Sequence, residues 1–260
     1  MQGISSETAN GAGYALHRLR QVLRRWDVVA CLAVAATFLL YPNIDLTVSA
    51  WFFSPEEGWY LADHPMALFI YHGAEQVAWI VGLTLLIVYV TGRLRPAWIS
   101  ADRRAIAAFV LLSTLMGPLL VVNAGFKEHW GRAKPKDVAE FGGHAAYSGA
   151  LRPASQCASN CSFPSGHATV GYAFLAFALV VPRRRRLWLV TGTALGLTVG
   201  AVRIVQGGHF LSDVLFSGFV VWFCALGALY VRDNLTTRAI RERWSSWRQP
   251  KRLRPARSPQ

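Results

Sequence analysis

The sequence predicts an all-α polytopic integral membrane protein, a bundle of six transmembrane helices, on three observations. Of its 260 residues 53% are hydrophobic and only 16% are charged, the balance of a chain that meets lipid more than water. Apolar runs recur near residues 28–41, 67–91, 105–126, 165–182, 187–206 and 212–231; most are long enough, or nearly so, to cross about 30 Å of hydrocarbon as helices. The cations between the runs are sorted by side, as a membrane topology requires.

Taken in order, residues 1–25 hold no apolar run and read as a cytoplasmic tail whose basic amphipathic stretch, HRLRQVLRRW, lies on the membrane. A cleavable leader is not expected, because the first run starts late and lacks a small-residue cleavage pattern, so the first span anchors the chain. The segment PNIDLTVSAWFFSPEEGWYLADHP that follows carries aromatics suited to the membrane interface, and part of it is expected to lie flat. A short loop with Arg93, Arg95, Arg103 and Arg104 joins runs two and three. Residues 127–163 form the longest polar stretch, on the outward side. Arg183 to Arg186 join runs four and five, and a tight turn joins five and six. The membrane domain thus spans 26–232, and 233–260 is a second basic tail whose last 20 or so residues, rich in Arg and Pro, are expected to be disordered.

A net charge of +13 and a pI near 10.3 would also suit a nucleic-acid binder, so the placement of the charges decides. All but six of the 27 Lys and Arg residues fall in the two tails and in the loops after runs two and four. That puts both termini in the cytoplasm and explains the excess by topology and attraction to anionic lipid, not by nucleic acid. The six exceptions are Lys127, Arg132, Lys134, Lys136, Arg152 and Arg203. They fall on the outward side, where the same rule disfavours them, and a cationic cluster there points to an anionic ligand such as a lipid head group or a phosphate. Cys31 and Cys224 lie in apolar runs as small buried hydrophobes. Cys157 and Cys161, in CASNC, are placed for a local disulfide if the outward side is oxidising; a single pair is a poor zinc pattern.

Three stretches at the outward ends of runs three to six come to one level of the bilayer: KEHWGRAKP at 127–135, PSGH at 164–167 and RIVQGGHFLSD at 203–213. Ser165, Gly166 and His167 open a helix, so their backbone N–H groups lack intrahelical partners and lie at the positive end of its dipole, where oxyanions bind. Gly166 lets such an anion approach the main chain. His209 and Asp213, four apart, share one face of a helix, where the carboxylate can hold one imidazole nitrogen and free the other to attack. Two histidines, one a nucleophile and one a proton donor, suit phosphoryl transfer through a covalent intermediate. Lys127, Lys134 and Arg203 would spread positive charge over the transition state. Neither a metal ligand set nor a cofactor is expected. Asn123, inside run three, is expected to hydrogen-bond to a neighbouring helix.

The order Lys, six residues, Lys-Pro, then Pro-Ser-Gly-His, then Arg, five residues, His, three residues, Asp resembles the type 2 phosphatidic acid phosphatase superfamily in its membrane branch, over about residues 25–232. The resemblance implies a six-helix bundle in which His209 becomes a phosphohistidine, Asp213 orients it, and His167 protonates the leaving alcohol. It also implies that Lys127, Arg203, Ser165 and the Gly166 amide bind phosphate. Two positions depart from the family pattern. Lys134 replaces the arginine before the first-motif proline, a point charge for a fork, which Arg132 is expected to compensate in part; Val202 stands where a serine commonly precedes the third-motif arginine.

The site's position at the interface suits a membrane lipid phosphate whose tails stay in the bilayer. Within the family, WGRAKP, FGG and CSFPSGHA look most like bacterial lipid A phosphatases that remove the 1-phosphate, in the inner membrane with a periplasmic active site. Undecaprenyl pyrophosphate and phosphatidylglycerol phosphate are alternative substrates. In other classes, a non-catalytic lipid-phosphate binder would hold substrate without releasing phosphate, and a transporter would carry its polar groups at mid-bilayer in repeated halves, which this sequence lacks. The oligomeric state is not legible.

Overall fold

The structure, a computed structural model, describes residues 25–247 and the side chains of residues 25–234. The surface-lying stretch expected near the amino terminus and the basic residues from 248 onward lie outside the described residues. The first apolar run and its outward continuation form α1 (Trp26–Leu40) and α2 (Ile44–Ala50). The later runs form α3 (Pro65–Leu94), α4 (Ala101–His129), α5 (Gly166–Val180), α6 (Arg185–Val205) and α7 (Leu211–Trp247).

Sequence chemistry sets most of the ends. At α3 Pro65 occupies the first turn, where its missing N–H costs nothing, and His64 Nδ1 accepts from the Met66 N–H at 3.3 Å. At α4 the Ser100 hydroxyl accepts from the Arg103 N–H at 3.4 Å, with Asp102 in the first turn beside the positive dipole end. Pro118 then interrupts the α-helical ladder, and residues Leu115–Phe126 wind as a wider π-helix before the last turn, Lys127–His129. At α5 Ser165 caps the helix by accepting from the Ala168 N–H. At α7 no Gly or Pro stands between Gly227 and Pro250, and the helix runs on to Trp247, well past the boundary expected at 232.

The chain is thus an all-α, multi-pass membrane protein, and the expectation of six spans is met in part. Four helices, α3, α4, α6 with the turn before it, and α7, are long and apolar enough to cross a membrane. The pair α1 and α2 qualifies only together and is bent by 81° around Pro42, which offers no N–H to continue the helix. The helix α2, which opens the segment after the first apolar run, turns away from α1 by that angle. The helix α5 is shorter, about 22 Å by helical rise against about 30 Å of hydrocarbon. Pro164 and Pro182 bound it, so its apolar run could not be longer.

Two clusters hold the bundle. Tyr172 and Leu175 of α5 pack with Ile204 of α6 and with Val214 and Val221 of α7. Gly196 lets α6 approach closely, since a Cβ there would meet the Tyr172 ring at 2.4 Å. Phe109 and Val110 of α4 pack on Ala225 and Ala228 of α7. Outside the bundle, Phe53 and Trp59 each meet Phe141 edge to face at a centroid distance of 5.3 Å, lie tilted to one another at 5.6 Å, and with it cover Val138 and Phe210. This aromatic cap fixes the 127–163 loop over the outward ends of the helices. Cys157 and Cys161, the expected pair, form a disulfide within that loop.

Candidate active site

Backbone hydrogen bonds tie the three motif stretches together. The Ser162 N–H donates to the Arg132 carbonyl at 2.8 Å, the Lys136 N–H to the Gly207 carbonyl at 3.0 Å, and the Ser165 N–H to the Asp213 carbonyl at 3.1 Å. Residues up to 71 apart in sequence thus share one main-chain frame, and side chains mounted on it need little further ordering.

His209 is 1% exposed. Its Nδ1 lies 2.7 Å from the Ser162 carbonyl and 3.8 Å from Asp213 Oδ2. The second distance is too long for a hydrogen bond, so the carbonyl, not the carboxylate, takes the Nδ1 proton and leaves Nε2 with its lone pair. The expectation that Asp213 holds the imidazole directly is corrected here. Asp213 Oδ2 instead accepts from the Ser162 hydroxyl at 2.5 Å and the Phe210 N–H at 2.8 Å. It acts on the ring through Ser162 and through its charge. Burial holds the His209 imidazole below the ordinary histidine range; Asp213 opposes that shift, and Arg203 and Lys127 add to it.

Arg132 is completely buried. Its guanidinium donates to Asp213 Oδ1 at 2.5 Å, Asp45 Oδ2 at 2.8 Å, the Ser212 hydroxyl at 2.8 Å and the Ser148 carbonyl at 2.9 Å. It also lies over the Phe210 ring, 4.3 Å from the centroid. Every arm of the fork is taken, so Arg132 does not substitute for the arginine missing at Lys134, contrary to the sequence expectation. Its two carboxylate neighbours hold its charge even more firmly than usual. Asp45, in α2, was missed by the sequence reading, although an acid in the outward continuation of an apolar run is the kind of residue that signals function.

The remaining motif residues gather around the start of α5. Lys127 is 7% exposed and Ser165 is fully buried. A Cβ on Gly166 would meet Asn123 Oδ1 at 2.8 Å and Lys127 Nζ at 3.4 Å, so the bare Cα leaves the lysine head access to the helix start. Asn123 Nδ2 donates to the Pro118 carbonyl of its own helix at 2.8 Å, not to a neighbouring helix as expected. That bond closes the wide turn that the proline opens. Arg203 threads past Gly208, where a Cβ would meet the guanidinium at 2.1 Å. It donates to Gln206 Oε1 at 2.5 Å and lies 4.8 Å from the centroid of the Tyr71 ring. Tyr71 also lies against His167, at a centroid distance of 4.8 Å; sequence gave no sign of this tyrosine. Lys127, Lys134, Arg203 and His209 are all within electrostatic reach of His167. Lys134 is half-buried, and burial together with Lys136 holds its ammonium below the ordinary lysine range.

The structure therefore brings together all eight motif residues expected at the site: His209, His167, Asp213, Lys127, Lys134, Ser165, Gly166 and Arg203. Ser165 already has one task, since its hydroxyl accepts from the Ala168 N–H and its carbonyl accepts from the Ser217 hydroxyl at 2.9 Å. His167 Nδ1 and Arg203 Nε are buried without a protein partner among the described residues. No group of three or more His, Cys, Asp and Glu able to hold a metal occurs among the described residues. From Gly166 and Asn123 an apolar cleft of about 180 Å³ runs down between α3, α4 and α5, past Val81, Leu85, Leu119 and Phe174.

A sequence model of the PAP2 superfamily matches residues 105–237. The lipid A 4′-phosphatase of Francisella tularensis subsp. novicida is 31% identical over 197 residues, which cover 75% of this chain and 89% of that protein. The lipid A 4′-phosphatase of Rhizobium leguminosarum is 38% identical over 138 residues, 51% of this chain and 58% of that protein. The lipid A 1-phosphatase of Rhizobium etli is 31% identical over 189 residues, 66% of this chain and 74% of that protein.

Proposed function

Since this chain belongs to the PAP2 superfamily and is a lipid phosphate phosphatase of it, we propose that it hydrolyses a phosphate from lipid A through a phosphohistidine on His209. The observation that carries the reading is the state of that ring: Nδ1 is occupied by the Ser162 carbonyl, so Nε2 is the free nucleophile amid Lys127, Arg203 and His167. Nε2 attacks phosphorus as the bond to the sugar oxygen breaks. His167 gives its proton to that oxygen, and the released sugar alcohol departs in the bilayer. His167 then takes a proton from water, whose oxygen attacks the phosphohistidine and frees inorganic phosphate and His209. Lys127, Lys134, Arg203 and the Gly166 N–H hold the three equatorial oxygens, with the Ser165 hydroxyl beside them. The buried, unpartnered Arg203 Nε supports this, because a bound phosphate oxygen would satisfy it.

The sequence reading favoured the 1-phosphate of lipid A. The two 4′-phosphatases above, one aligned over 89% of its length and one at 38% identity, move the proposal to the 4′-phosphate. The cleft below Gly166 fits a substrate whose acyl chains stay between helices. Six passes, with α5 as the short one and α1 and α2 as one broken one, keep both cationic tails in the cytoplasm and the site on the periplasmic side of a bacterial inner membrane.

The test is phosphate release by the purified protein in detergent with EDTA. The panel is lipid A carrying only the 4′-phosphate, lipid A carrying only the 1-phosphate, undecaprenyl pyrophosphate and phosphatidylglycerol phosphate. Release from the 4′-phosphate form is expected, together with a phosphohistidine trapped by acid quench, and both vanish in His209→Ala. Preference for the 1-phosphate form would restore the sequence reading. Binding without release from any would favour a non-catalytic lipid binder.

A further inference from the structure

We infer that Asp45, on α2 and outside the three motifs, is a positioning residue for the reaction: by sharing Arg132 with Asp213 it leaves one negative charge uncancelled behind His209. The inference rests on His209 being the nucleophile.

Asp45 and Asp213 are both fully buried and flank a single guanidinium, also fully buried. With both carboxylates ionised, two acids against one base leave one unit of negative charge in a buried cluster. Asp45 is placed to be ionised. Its Oδ1 accepts from the Ser212 N–H at 2.9 Å, and its Oδ2 from the Ser212 hydroxyl at 2.5 Å and from Arg132 at 2.8 Å. Every one of these three contacts is with a donor, the arrangement that favours a carboxylate over a carboxylic acid. Were Asp45 absent, Arg132 and Asp213 would form a matched pair, and the imidazole would face a neutral couple. Phosphorylation at Nε2, with Nδ1 still protonated, puts a positive charge on the ring, and a surplus negative charge behind it favours that state. The other titratable and charged groups near the ring are Lys127 of α4, Arg203 from the end of α6 and His167 of α5. Burial and Asp213 work against the Asp45 charge, while Arg132 and the Ser212 hydroxyl work for it, and the Tyr147 ring lies 5.7 Å from the Arg132 guanidinium.

The measurement is the pH profile of kcat/KM with one lipid phosphate, so that ionisation of the substrate is common to every variant. Burial of His209 sets the sign for the wild-type protein. A base whose pKa is lowered stays neutral to lower pH, so the acid limb should lie below about 6.5, the ordinary imidazole value. Asp45→Asn removes the surplus charge. Its acid limb should move further down, and kcat should fall on the order of ten- to a hundred-fold, the scale on which outer partners of an active-site ligand act, with KM little changed. Arg132→Gln leaves two negative charges, and its limb should move up. A role confined to holding the fold would lower the folded fraction of both variants and shift neither limb, so unmoved limbs in folded, active variants would overturn the inference. Should neither single variant fold, Asp45→Asn with Arg132→Gln removes one charge of each sign, a change that buried pairs often tolerate. Its limb should match the wild type, and a raised limb would show that Asp45 carries no weight. If wild-type protein releases no phosphate, or His209→Ala still does, the premise fails and the inference with it.

Discussion

At the residue scale, the proposed phosphate site includes a lysine where its family carries an arginine. Lys134 would bring one compact charge to the phosphate, half-buried and with Lys136 and Arg203 near it, whereas a guanidinium would bring a two-pronged donor. Lys134→Ala should therefore raise KM about tenfold, the cost of one charge-assisted hydrogen bond, with kcat changed less. Lys134→Arg should keep kcat/KM within a few-fold, as measured by steady-state phosphate release; a loss as large as that of the alanine variant would mean the position requires the smaller head. The arginine that seemed to offer compensation, Arg132, is unavailable because Asp45 and Asp213 hold it from both sides. That contact could not be read from the sequence. Arg132 and Lys134 are two residues apart in one motif, and only the fold decides that one is sealed inside while the other reaches the rim. His209, His167 and Lys127 were legible because family spacing fixes them within short segments. Ser162 gave no signal, since its contribution to His209 is a main-chain carbonyl, a group every residue possesses.

At the element scale, α4 carries Lys127 through a wide π-helical stretch that begins three residues before Pro118. A proline inside a helix costs about 3 kcal/mol, and such wide turns gather at functional sites. Here the cost is offset in part by Asn123, whose amide reaches the Pro118 carbonyl. Pro118→Ala should let α-helical bonding resume and rotate Lys127 away from Gly166. Thermal stability should stay level or rise while kcat/KM falls at least several-fold; retained activity together with a raised Tm would show that the wide turn does not place Lys127. The helices themselves were legible as apolar runs, and α3, α4, α6 and α7 follow that pattern. The break between α1 and α2 was foreshadowed only by Pro42, and the length of α5 only by the prolines on either side of it. Hydropathy reports what lipid tolerates and not where a helix turns, so Asp45, carried inward by the 81° bend, escaped notice.

At the scale of the whole molecule, the 127–163 loop with its disulfide and the aromatic cap pack over one end of the bundle, while an apolar cleft runs from Gly166 between α3, α4 and α5. The cleft was not legible in the sequence, because it is a gap between helices whose facing residues are ordinary apolar ones. The shortness of α5 carries this further. If α5 is the short pass of the proposed topology, its Gly166 end lies beneath the membrane surface, and the phosphate would descend to the chemistry without the substrate being drawn out into water. What the enzyme senses would then be the crowding of substrate within the sheet of lipid, not its amount in the flask. In mixed micelles at fixed total substrate, adding neutral detergent should slow phosphate release in proportion to the falling mole fraction, and a rate that ignored the diluent would mean delivery through water. The enzyme would thus work as a grazer on a two-dimensional field, its pace set by how thickly the field is sown, and its dephosphorylated product would remain where it was made.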